Sequence, residues 1–177
     1  MMCLVHLDPV TKIPTRHALG DYASRLPPSA LPAVLAVLDL DHFRALNTRW
    51  THDAGDAVLT AVAQRLAAAC TDQEAVARWG GAAFALLLTA VEEASARTRV
   101  EALRAVVGTV RVPWEDVNLR ITASVGAVWL RAARVNLAPH PIDQYMARAI
   151  TALRAAKQAG RQRTAWHDDA ETDGEKE

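Results

Sequence analysis

Two periodicities alternate along the chain. AVLAVLDLD, from Ala33 to Asp41, is apolar at successive positions and ends in charge, which predicts a central strand buried on both faces that delivers carboxylates at its C-terminal end. Upstream, Ala18, Leu19, Tyr22 and Leu26 fall at near-helical spacing, and the three prolines of RLPPSALP then predict a linker. HFRALNTRW starts a second helix, THDAGD interrupts it, and AVLTAVAQRLAAAC resumes with Val58, Leu59, Val62 and Leu66 on one side. VARWGGAAFALLL reads as a β-hairpin whose turn is Gly80-Gly81. AVEEASARTRVEALRAVVG predicts an amphipathic helix ended by Gly108, and TVRVPWEDVNLRITASVGAVWL two strands around a Pro113–Asn118 turn. IDQYMARAITALRAAKQAG predicts a last helix closed by Gly160, and RQRTAWHD an edge strand. Helices packed on a largely antiparallel sheet suit this order, an α/β (α+β) domain.

Composition narrows the class. With 177 residues, 51% apolar and 23% charged, the chain is expected to form a single globular domain over residues 1–166. Its apolar runs are broken by charge well short of a membrane span, and MMCLVHLD lacks the basic start and length of a secretion signal. Cys3 and Cys70 form no CxxC pair, so neither a disulfide framework nor a structural zinc site is expected, and a reducing, cytoplasmic location is the default. His6, His17, His140 and His167 are scattered without metal-ligand spacing, and Trp50, Trp79, Trp114, Trp129 and Trp166 read as core or edge packing.

Formal net charge is zero but unevenly placed. The segment from His167, HDDAETDGEKE, holds six of the 20 acidic residues and one of the 20 basic ones. Residues 167–177 are therefore expected to be an acidic, disordered tail, and the remainder carries a surplus of five basic groups. So modest a surplus suits a phosphate-bearing small ligand and excludes a nucleic-acid surface, which needs a concentrated basic stripe.

Five blocks, in order from Asp8 to about Trp166, resemble the diguanylate cyclase, or GGDEF, domain. DPVTKIPTR is similar to its D-x-L-T-G-L-x-N-R, and DLDHFRALNTRWTHDAGDAVL to D-x-D-x-F-K-x-x-N-D-x-x-G-H-x-x-G-D-x-x-L. RWGGAAF stands where R-x-G-G-D/E-E-F belongs, ITASVGAV resembles x-T-x-S-x-G-x-A, and AAKQAGRQR resembles A-K-x-x-G-R-N-R. Each block alone is a weak signal; together they are specific. The resemblance implies a central, mainly antiparallel five-stranded sheet wrapped by helices, in a palm-like nucleotidyl cyclase fold. It also implies chemistry that joins two GTP molecules, one on each domain of an antiparallel pair, into cyclic dimeric GMP.

Carried over residue by residue, Asp39 and the backbone carbonyl of Leu40 would hold Mg2+ against the triphosphate. Asn47 and Asp56 would read guanine, whose ring N–H and amino group offer paired donors that adenine lacks. Backbone amides of His42 and Phe43, with the side chains of Lys157 and Arg161, would take the phosphates. On the residues alone, bland readings stand beside these. Asp39 suits a cap on the helix starting near His42, Asp56 a cap on a helix beginning at Ala57, Phe43 plain core, and Lys157 with Arg161 a solvated pair on a helix end.

The departures bear on function. Ala82 and Ala83 replace the acidic pair after Gly-Gly, leaving Asp39 as the obvious side-chain ligand, so Mg2+ binding is expected to be weakened and cyclisation lost. Thr51 stands where the family has glycine, which predicts backbone strain, and Lys12 and Thr15 replace Gly and Asn of the opening block. The product-inhibition motif R-x-x-D falls on TDQE, Thr71 to Glu74, without its arginine. The chain is thus expected to be a degenerate domain, a GTP-sensing or protein-interaction module that pairs with itself or with a signalling partner. The alternative is a weakly active cyclase.

Overall fold

A computed structural model describes residues 6–131 and 141–167; Cys3, His140 and the acidic segment beyond His167 lie outside them. Strand β1, Ala33–Leu40, has no polar side chain before Asp39, so it can satisfy its backbone only between two other strands with both faces covered. It runs antiparallel to β3 (Ala83–Leu88) on one side and β6 (Ala123–Leu130) on the other. β2 (Glu74–Gly80) pairs antiparallel with β3, and β7 (Thr164–Trp166) joins β6 in parallel. The five-stranded sheet therefore has the order β2-β3-β1-β6-β7. It is mainly antiparallel, as the apolar pattern predicts.

Alternation along β1 sorts the core into two layers. Val34, Ala36, Leu38 and Leu40 face α3 (His52–Ala69) and α4 (Glu93–Val107), meeting Val58, Val62, Leu66, Val100 and Leu103. Ala33, Leu35 and Val37 face α1 (Arg16–Ser24) and α5 (Pro141–Gln158), meeting Leu19, Met146 and Leu153. α5 lies almost on the backbone of β6: a Cβ on Gly126 would stand 2.0 Å from the Ala149 carbonyl oxygen, so that position admits no side chain. Among the described residues, no helix is long and apolar enough to cross a membrane.

Several local expectations are corrected. The break expected across THDAGD shrinks to Trp50 and Thr51, because the Thr51 hydroxyl accepts from the Ala54 amide at 3.1 Å and starts α3 at His52. Asp56 consequently sits inside a helix and caps nothing. Thr51 itself is extended (φ −165°), a conformation open to any residue, so no strain attends its replacement of glycine. Lys12 does carry strain, at φ 60° in the left-handed region, whereas Thr15 caps α1 through Ala18 N at 3.3 Å. The hairpin turn lies one residue further on than Gly80-Gly81: Gly80 pairs with Ala83, and Gly81 (φ 54°) and Ala82 form the tip. The segment expected to give two strands gives three. β4 (Val112–Trp114) and β5 (Val117–Leu119) make a separate ribbon ahead of β6.

Candidate functional site

The C-terminal end of β1, the hairpin tip, the short helix α2 (Phe43–Arg49), the first turns of α3 and the last turn of α5 enclose a cavity of about 530 Å3. Of the residues singled out by sequence, Asp39, Leu40, His42, Phe43, Asn47, Asp56, Ala82 and Lys157 line it. Arg161 does not. α5 ends at Gln158, and the chain then turns through left-handed Gly160, Arg161 and Gln162, so Lys157 and Arg161 are not helical neighbours facing one way. Arg161 is held instead by its backbone, its amide donating to Ala156 O at 3.0 Å.

At one end of the cavity the charged groups have found each other. The ammonium of Lys157 donates directly to Asp39 Oδ2 across 118 residues of sequence, with the two side chains 33% and 20% exposed. Asp39 therefore does not cap α2. His42 precedes that helix in the left-handed region (φ 56°) without a side-chain cap, a strained placement for a residue with a Cβ. Ala83 sits opposite Asp39 in the β1–β3 register, and the Ala82 carbonyl accepts from Leu40 N at 3.1 Å. Both alanines thus stand against the end of β1, where they present only methyl groups. The neighbouring Asp41 is no substitute ligand. It is buried, with its carboxylate accepting from the hydroxyls of Ser124 and Thr122, each at 2.7 Å. Among the described residues, no three histidine, cysteine, aspartate or glutamate side chains converge to hold a metal ion.

The other end is built differently. Asn47 Oδ1 is buried without a hydrogen-bond partner, against Gly55 on α3. A Cβ at Gly55 would lie 1.8 Å from that oxygen and 3.1 Å from the Phe43 ring, so the bare glycine is what seats the Asn47 amide. Asp56, the next residue, is exposed. Phe43 is half-buried and packs on the core as well as lining the cavity, so its two readings coexist.

Sequence reasoning missed a support behind the hairpin. Asp8 Oδ2 accepts from the Thr11 amide (2.8 Å) and hydroxyl (2.7 Å) and from Arg78 Nη1 (3.2 Å), and Arg78 also donates to the Gly81 carbonyl. Burial pushes the Asp8 carboxyl up, but Thr11 and Arg78 outweigh it and hold the group below its ordinary range. Aspartate and threonine of the opening block and arginine of the hairpin block were all visible. Their pairing across 70 residues was not. Arg78 and the exposed Arg44 also line the cavity.

TDQE forms a closed structure. Arg99 on α4 donates to both Glu74 oxygens, at 2.6 and 2.7 Å, and to the Ala69 carbonyl at 2.6 Å. Burial raises the Glu74 carboxyl, yet the Arg99 bonds bring it below the usual range. Beside it, burial and the Glu74 charge push the Cys70 thiol up to about 11, so it stays protonated and unreactive at neutral pH.

The chain is similar to known proteins in sequence and in fold. The profile of the family described as "Diguanylate cyclase, GGDEF domain" matches residues 5–163. The diguanylate cyclase DgcP of Pseudomonas aeruginosa is 35% identical over 160 residues, which cover 88% of this chain and 23% of that protein. The probable diguanylate cyclase DgcC of Escherichia coli K12 is 32% identical over 133 residues, 75% of this chain and 34% of that protein. The chain thus spans about a quarter to a third of the length of these relatives. Among solved structures, the diguanylate cyclase SiaD of Pseudomonas aeruginosa, in complex with its activator SiaC, superposes with a TM-score of 0.81 at 31% identity, covering 92% of this chain and 62% of that one. The GGDEF domain of DgcB from Caulobacter crescentus, in complex with c-di-GMP, gives 0.78 at 28% identity, covering 92% and 96%.

Proposed function

The chain belongs to the GGDEF family of diguanylate cyclase domains, and on that premise we propose that it is a degenerate member that binds GTP without cyclising it at a useful rate. Its role is that of a cytoplasmic nucleotide-sensing module in cyclic dimeric GMP-related signalling, passing occupancy of the cavity to a second copy or to a signalling partner. One observation carries the loss of chemistry. Ala82 on the hairpin tip and Ala83 opposite Asp39 offer only methyl side chains where an acidic pair would be needed to gather cations and activate an attacking hydroxyl. Mg2+ binding is correspondingly weakened, since one carboxylate already engaged by Lys157 is a poor donor set for a hard divalent ion.

Guanine recognition rests on Asn47 and Asp56. Asn47 lines the cavity together with the exposed carboxylate of Asp56, and its amide, whose oxygen has no protein partner where it rests on Gly55, can turn to meet a base edge that offers adjacent N–H donors. Lys157 and Arg44 are the cations placed to meet the phosphates. Arg161 is not among the residues that line the cavity, and this reading gives it no contact with the nucleotide.

Incubating the purified domain with GTP and Mg2+ or Mn2+, followed by chromatography, is expected to give no cyclic dimeric GMP. Clear turnover would reinstate a weakly active cyclase. A calorimetric titration that finds no GTP binding would replace the sensor by a pure interaction module, with the cavity residues as relics.

A further inference from the structure

The Lys157–Asp39 pair occupies the position where a cation is needed. A carboxylate facing a triphosphate repels it unless a positive charge lies between them, and the hairpin tip supplies no side-chain carboxylate with which to recruit a metal ion, its Gly81 and Ala82 carbonyls being engaged by Arg78 and Leu40. We infer that Lys157 is a built-in cation, its ammonium bridging Asp39 and the phosphates of a nucleoside triphosphate, so that this pocket takes its nucleotide without a divalent ion. This rests on the nucleotide-pocket reading above.

The geometry suits the task. An ammonium has three donors. One is spent on Asp39 Oδ2, and the side chain is still 33% exposed on the cavity wall, so the other two remain available to phosphate oxygens. Its anchor is firm, because α5 packs along β6 and β1 from Gly126 onward and cannot withdraw without opening that layer. A divalent ion on Asp39 would have to displace this ammonium from Oδ2 or sit on Oδ1 close beside it, like charge against like. With Asp39 neutralised by Lys157, the exposed Arg44 leaves this end net positive, and Arg78 is already committed to Asp8 and Gly81.

The test is calorimetric titration of GTP into the purified domain, once in excess EDTA and once in excess MgCl2. The expected result is equal affinity within about threefold. Lys157→Met should weaken binding about tenfold or more in both buffers, the loss of a charge-assisted contact. Asp39→Asn gives the sharper sign. Removing a metal ligand would weaken binding, whereas releasing a tethered ammonium and deleting a negative charge should maintain or tighten it in EDTA. Wild-type binding that is intact in Mg2+ but about tenfold or more weaker in EDTA would overturn the inference while leaving the pocket standing. So would a comparable loss in Asp39→Asn with an unchanged circular dichroism spectrum. No binding in either buffer would overturn the pocket reading, and the inference with it.

Discussion

The two ends of the cavity differ in how they treat their polar atoms. At the end proposed for phosphate, Lys157 and Asp39 satisfy each other and the two alanines after the double glycine add no polar side chain. At the base end, Asn47 keeps a buried oxygen without a partner, and Gly55 keeps the space it lies in. An orphaned buried acceptor is a standing cost of about 1–3 kcal/mol, which drift would be expected to remove from a site with no occupant. On the proposed reading, chemistry and recognition part company in one pocket, the first lost through two side chains, the second retained by an unsatisfied one.

The largest expected effect comes from filling the base end. Gly55→Ala places a methyl where Asn47 now lies, so GTP affinity should fall about a hundredfold, or ~2.7 kcal/mol. Stability should barely move, because an interior helix position gains about 1 kcal/mol when glycine becomes alanine, which offsets the displaced amide. Parallel titration and thermal melting check this. A matched loss of both would mean that Gly55 serves packing and that the contrast between the ends is false.

A second, smaller effect is expected behind the phosphate end. Arg78→Met leaves the Gly81 carbonyl without its side-chain donor and the Asp8 carboxylate held by Thr11 alone, without its counter-charge, which should cost about 2 kcal/mol and lower Tm by about 4–8 °C. Titration above the domain's need for folding should still find the base end competent. The smallest effects separate the two positions where the family has glycine. Lys12→Gly relieves a left-handed residue and should stabilise by about 1 kcal/mol, whereas Thr51→Gly removes a helix cap and should destabilise by a few tenths. Denaturant midpoints resolve both signs.

Much of this was legible in the sequence because it is written in local spacing. The uninterrupted apolar run of β1 fixes a central strand, and the blocks around Asp39, Asn47, Asp56 and the double glycine place those residues at one end of the sheet. What escaped was of two kinds. Asp8 with Arg78 and Asp39 with Lys157 meet across 70 and 118 residues, and no periodicity encodes such a meeting. The THDAGD segment misled for a local reason: Gly55 and two aspartates resemble a loop, but one threonine hydroxyl caps the helix, and the glycine is there to admit a neighbour's side chain. Arg161 misled in the opposite way, since regular helical spacing was extended past a left-handed turn.

The placement of β1 at the sheet's centre also governs how the chain can be made. A ribosome delivers β1 by Leu40, but its second neighbour does not begin until Ala123. Throughout the synthesis of the intervening residues, an almost wholly apolar strand has one edge of unpaired N–H and C=O groups, a template for pairing with any other extended chain. A fragment ending at residue 119 should therefore precipitate or remain bound to chaperones, measurable by sedimentation of a translation mixture, while the full chain stays in the supernatant. A premature stop codon anywhere before β6 removes more than Lys157: it removes the domain.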